Sequence, residues 1–155
     1  MGETRVATAD DLQAVVGLAT AGLTEQREER GGALWAIRES RSVPFELSLR
    51  ESISDPDREI FVACVDNVVL GYVVVRAEHL RSGDALGVIE DIHVDAEARM
   101  VGLGEALMAL VVSWCELRDC VGVDALVLPG NRATKNFFET LGFKARLLTV
   151  HRPLR

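Results

Sequence analysis

Apolar positions along this chain recur with two periods, and the switches between them mark out the elements. Leu12, Val15, Val16, Ala19 and Leu23 share one face of a helix. Thr8-x-x-Asp11 resembles a capping signature at its entry, after a short strand from Arg5 to Ala7. From 25 to 41 the pattern lapses: a charged stretch followed by Gly31-Gly32-Ala33-Leu34-Trp35 reads as a mobile crossing. Pro44 suits a helix start, and Phe45, Leu49 and Ile53 then recur every four residues up to Asp55-Pro56-Asp57. Two β-rich runs, Glu59 to Val65 and Val68 to Ala77, flank Asp66-Asn67, which tolerate the left-handed conformations of a tight hairpin turn.

Beyond the hairpin, Ala85 to Val94 reads as a strand, and Leu103, Leu107, Leu110, Trp114 and Leu117 form a helical stripe through about residue 118. Asp124 to Leu128 reads as another strand. Pro129-Gly130-Asn131 supplies a loop and cap before a helix that Gly142 can end, and Phe143 to Val150 reads as a last strand. A hairpin followed by alternating strands and helices predicts an α/β fold, a mixed sheet with helices on both faces. With no repeat or linker in its 155 residues, the chain reads as one domain, 1–155.

Residues 99 to 104, Arg-Met-Val-Gly-Leu-Gly, stand where the strand pattern gives way to the helical stripe. Glycines allow a ligand to approach the backbone, and the free N–H groups of a starting helix favour a phosphate or pyrophosphate. Arg99 can add a full charge. The spacing does not fit a dinucleotide fingerprint, because Leu107 stands where the third glycine would fall. Nor does it fit a P-loop, because Gly104 is followed by Glu105.

The segment resembles the acetyl-CoA signature of the GNAT family of N-acetyltransferases, Arg/Gln-x-x-Gly-x-Gly/Ala, through Arg99, Gly102 and Gly104. Upstream, Glu90-Asp91-Ile92-His93-Val94 is similar to the strand before that loop, and Asn131 through Phe143 to a later segment of the family. The resemblance covers about residues 59 to 150. It implies a mostly antiparallel mixed sheet in which the strands equivalent to 85–94 and 124–128 splay apart and the pantetheine arm enters the gap. By this resemblance Ile92 and Val94 contribute main-chain groups to acetyl-CoA, and Val101, Gly102, Leu103, Gly104 and Glu105 wrap the pyrophosphate with Arg99 beside them. Asn131 resembles a residue that contacts the cofactor arm; as a helix cap alone it would need no ligand.

The resemblance implies acetyl transfer to a primary amine of a small molecule or a protein. An ammonium has no lone pair with which to attack a thioester, so something must accept a proton. Glu90 occupies the position at which diamine-acetyltransferase-like members carry a glutamate proposed for that task. Asp91, by strand alternation, faces the other way unless a bulge intervenes. His93 adjoins both, as a base or a packing residue. Phe138 stands where many members have a tyrosine thought to protonate the departing thiolate. It cannot donate a proton, so it packs against the cofactor arm or the core, and water finishes the step. Its presence also leaves open a noncatalytic acyl-CoA-binding regulatory module.

Composition narrows the partners. The net charge of −7 divides unevenly, with 11 basic and 23 acidic side chains in residues 1–124 against 6 and 1 in residues 125–155. The acidic bulk disfavours nucleic acid and suits a cationic acceptor, while Arg132 and Lys135 stand where CoA phosphates could be met. No apolar run reaches the length of a membrane span, and Glu3, Asp10 and Asp11 in place of a basic stretch argue against a secretory signal. Cys64, Cys115 and Cys120 lack metal spacing and fit a reducing cytoplasm, and Cys115 and Cys120 would point to different sides of a helix. No metal site is expected, and a homodimer is left open. Acceptor choice falls to the variable segments, with Glu28, Glu29, Trp35 and Glu78 as candidates.

Overall fold

A computed structural model describes residues 2–155, apart from the side chain of Met100. Strand β1 (Gly2–Val6) leads through a short 3₁₀ turn into helix α1 (Leu12–Arg27). Helices α2 (Gly32–Arg38) and α3 (Phe45–Ser54) follow, then β2 (Arg58–Val65), β3 (Val68–His79) and β4 (Ala85–Val94). A second 3₁₀ turn (Ala96–Val101) precedes α4 (Leu103–Leu117), β5 (Cys120–Ala125) and α5 (Arg132–Thr140). The five strands lie in sequence order, antiparallel except for the parallel β4–β5 pair. Each face of the sheet buries its own cluster: α1 and α3 cover Ile60, Val62, Tyr72 and Val74, while α4 and α5 cover Phe61, Val73, Val75 and Ile89. The alternation within β2 and β3 produces this division, since neighbouring residues face opposite helices.

Local chemistry accounts for the element ends. The Asp11 carboxylate accepts the Thr8 backbone N–H at 2.8 Å, completing a capping box, and also takes Arg5. Asp66 and Asn67, at φ 50° and 66°, form the tight turn between β2 and β3. Four expectations are corrected. The crossing at 25–41 contains helix α2, which turns off the end of α1 so closely that a Cβ on Gly32 would clash with the Gln26 carbonyl. The strand expected at 124–128 begins earlier, at Cys120, because the left-handed Asp119 (φ 57°) turns the chain straight out of α4. It ends at Ala125, the last residue that pairs with β4. Cys120 therefore opens a strand instead of continuing the helix, and its thiol lies against Cys115; burial and this neighbour push the Cys115 thiol up to about 12. Finally, residues 143–150 form no strand within the chain, and all but Phe143 of that run are exposed.

Candidate active site

The site begins with an irregularity in β4. Val74 pairs with Asp91 and Val75 with Ile89, which leaves Glu90 as the extra residue of a bulge. Strict alternation would send Glu90 and Asp91 to opposite faces; the bulge instead brings both carboxylates to Arg41, from the connection between α2 and α3. Arg41 Nε donates to the two Asp91 oxygens at 3.2 and 3.1 Å, and one terminal nitrogen donates to Glu90 Oε1 at 3.1 Å. The other terminal nitrogen donates to Ser48 Oγ at 2.7 Å. Arg58 and Arg76 reach Glu90 Oε2 at 2.9 and 3.5 Å, and the Tyr72 hydroxyl donates to Asp91. The Arg41 side chain is only 7% exposed. Burial works against its charge, but the Asp91 hydrogen bonds and the two carboxylates overcome it and raise its pKa. Burial, reinforced by Asp91, likewise raises the Tyr72 phenol and keeps it protonated.

This cluster floors a narrow pocket walled by Gly22 and Leu23 of α1 and by Trp35 and Phe45. Its free interior is about 20 Å³, room for a water or the tip of an amine. His93, two residues beyond Asp91 and so on the same face of β4, lines it as well. Gly22 makes space for the imidazole: a Cβ there would stand 3.1 Å from Nδ1. Burial, assisted by Arg99, lowers the His93 pKa below the ordinary 6.5, while Glu25 and Asp95 oppose the shift. Of the acceptor candidates from the variable segments, Trp35 lines this pocket; Glu28, Glu29 and Glu78 do not.

The β4–β5 ladder ends at Ile89 opposite Ala125, so the main chain of Glu90–Val94, which pairs with β3 from Asp91 onward, has no strand among the described residues on its other side. That open edge leads to the turn before α4. Gly102 takes a left-handed conformation there (φ 76°), Leu103 is buried, and Val101 and Glu105 are exposed. The first N–H groups of α4 have no acceptor within the helix. An extended amide-bearing arm fits the open edge, and a pyrophosphate fits the N–H groups.

Several candidate site residues also make contacts within the protein. A Cβ on Gly104 would meet Phe137 of α5 at 3.0 Å, so this glycine also permits the close packing of α4 on α5. Arg99 donates to the Val94 carbonyl and, from both terminal nitrogens, to Glu25 at 3.0 and 2.8 Å, so its charge is already paired. Asn131 caps α5 by accepting the Thr134 N–H at 3.0 Å. Phe138 is 4% exposed, with ring centroids 5.2 Å from Phe137 and 5.0 Å from Phe143, which makes it a core residue. Ile92 and Val94 pack their side chains on the α4 face, leaving their main chains at the open edge. Arg41, the hub of the site, carries no sequence signal; it is one arginine in a charged segment, 50 residues from its partner.

Known proteins share this fold. A model of the acetyltransferase (GNAT) family matches residues 24–143. A glucosamine 6-phosphate N-acetyltransferase of Trypanosoma brucei brucei is 34% identical over 73 residues, 47% of this chain and 48% of that one. The aligned part thus spans about half the length of that curated relative. Among solved structures, glucosamine-6-phosphate N-acetyltransferase of Arabidopsis thaliana superposes with a TM-score of 0.72 at 19% identity, covering 100% of this chain and 99% of that one. An acetyltransferase of Trypanosoma brucei superposes with a TM-score of 0.70 at 21% identity, covering 99% and 100%. An open parallel strand pair, a glycine turn at a helix start and a family match over most of the chain leave one assignment: the chain belongs to the acetyltransferase (GNAT) family.

Proposed function

We propose that this protein is an acetyl-CoA-dependent N-acetyltransferase acting on a primary amine. The observation that carries the reading is the termination of the β4–β5 ladder at Ile89 and Ala125, which puts the open main-chain edge of Glu90–Val94 beside both the α4 N-terminus and the Arg41–Asp91 pocket. Ile92 and Val94 hold the arm through their main chains, Val101 to Glu105 receive the pyrophosphate, and Arg99 and Asn131 fix the loops on either side. When bound, acetyl-CoA supplies an activated acyl carbon and a thiolate leaving group. Glu90 sits at the bulge of β4, where with Asp91 and Arg41 it fixes the field around the amine. Among the described residues, no group of three or more His, Cys, Asp or Glu could hold a metal, and no helix is long and apolar enough to cross a membrane.

Acetyl-CoA titration by calorimetry, followed by thiol release against an amine panel, tests the reading. The panel includes glucosamine 6-phosphate, the amine named for the relatives, with spermidine, tyramine and a lysine-containing peptide. Binding and release with at least one amine are expected. Tight binding with no release from any amine would favour the regulatory module instead. We also place the protein in a reducing compartment, in keeping with its three free thiols, and read its assembly as a homodimer through residues 143–155.

A further inference from the structure

Five groups that can hold or exchange a proton line the acceptor pocket: Arg41, Tyr72, Glu90, Asp91 and His93. Four of them are bonded to one another. Both Asp91 oxygens accept Arg41 and one also accepts Tyr72, while the Glu90 oxygens accept Arg41, Arg58 and Arg76. Each Asp91 oxygen thus accepts twice, and the one acceptor position left on Glu90, at Oε1, lies beside the buried Arg41 guanidinium, whose charge repels an incoming ammonium. His93 is different. Among the described residues the charged groups around it, Glu25 from α1 with Asp95 and Arg99 from the turn after β4, act through space and without a hydrogen bond to the ring. Its burial beside Gly22 leaves the imidazole facing the pocket in its neutral form near pH 7.

From this geometry we infer that His93 is the catalytic base of the reaction proposed above, and that Glu90 and Asp91, locked by Arg41, are positioning residues. One ammonium proton passes to the imidazole and on to water. The nitrogen lone pair then forms the bond to the acetyl carbon while the carbon–sulfur bond breaks, and the second proton leaves nitrogen for the departing sulfur through water. The products are the N-acetyl amine, CoA thiol and a solvent proton. The buried Phe138 has no part in this transfer.

The test is chemical rescue, run with the panel amine that gives the fastest thiol release. His93→Ala empties the space beside Gly22, and kcat at pH 7 should fall by about 100-fold or more with acetyl-CoA affinity by calorimetry unchanged. Added imidazole should restore turnover in a saturable way, and the limb of the parent kcat/KM profile set by the imidazole should be replaced in the variant by a rise that follows the ionisation of the amine itself. His93→Asn serves as a second variant if alanine disturbs the strand. A variant that binds acetyl-CoA and keeps the parent kcat and pH profile, or that gains nothing from imidazole, overturns the assignment. A parent that binds acetyl-CoA yet acts on no amine overturns the acetyltransferase reading and this assignment with it.

Discussion

At the scale of single residues the site is built from charge placed where water is scarce. Arg41 is buried between two carboxylates, and removing one partner of such a cluster strands the others. Arg41→Leu should therefore cost about 3–5 kcal/mol of unfolding free energy, read from urea denaturation, with Arg41→Lys falling between variant and parent. An Arg41→Leu protein as stable as the parent would show that the cluster is solvated. Phe138 makes the opposite case. Its position in the sequence invites a tyrosine that would supply a proton to the thiolate, but its ring is enclosed by Phe137 and Phe143. A hydroxyl there would lack a partner, so Phe138→Tyr should lose about 1–3 kcal/mol of stability and leave single-turnover thiol release no faster. Faster release from the variant would show that the ring edge reaches the sulfur.

At the scale of elements, the contact between α4 and α5 depends on the absence of a side chain at Gly104. Gly104→Val should push against Phe137 and cost about 1–3 kcal/mol, and Phe137→Ala in the same chain should recover part of that loss. Strictly additive effects would place the strain elsewhere. The start of α1 gives a pH prediction. The hydrogen bond from Arg5 lowers the Asp11 pKa despite burial, so this contribution to stability is present above about pH 4 and is lost as pH falls through the folded-state value. Asp11→Asn should flatten the fall in urea midpoint between pH 5 and pH 2; an unchanged slope would assign the acid sensitivity to other carboxylates. Both the cap and the bounds of β4 were legible in sequence, because each is set by neighbours within a few residues. The Glu90 bulge was not, since alternation fixes which face a residue takes only until an extra residue is inserted. Helix α2 was hidden for a related reason: Gly31 and Gly32 read as a loop, yet they let one helix turn directly off another. Arg41 and the Cys115–Cys120 contact arise from tertiary placement, which no local pattern encodes.

At the scale of the whole molecule, residues 143–155 stand apart from the rest. Leu147, Leu148 and Val150 are 79, 81 and 93% exposed, although the run Leu-Leu-Thr-Val has strong strand character. Arg146 ties the root of this segment to Asp124 of β5, and beyond that point every residue is exposed. The outer edge of β5 has no strand beside it among the described residues, and exposed Val121 lies on it. A free strand edge and an unpaired apolar segment in one chain are complementary in two copies. Charge favours the same match, because residues 144–155 carry Lys144, Arg146, Arg152 and Arg155 without an acidic side chain, while residues 1–124 are strongly acidic. The segment of one copy should therefore pair with β5 of the other, and reciprocally. Sedimentation velocity should show a dimer, and Leu148→Asp together with Val150→Asp should weaken it at least tenfold without changing the far-ultraviolet circular dichroism of the body. Hydrogen exchange should find the amides of 147–150 protected in the dimer and open in the variant. A parent that stays monomeric at every loading concentration would overturn the pairing between copies, and amides protected in that monomer would mean that the segment folds back on its own β5.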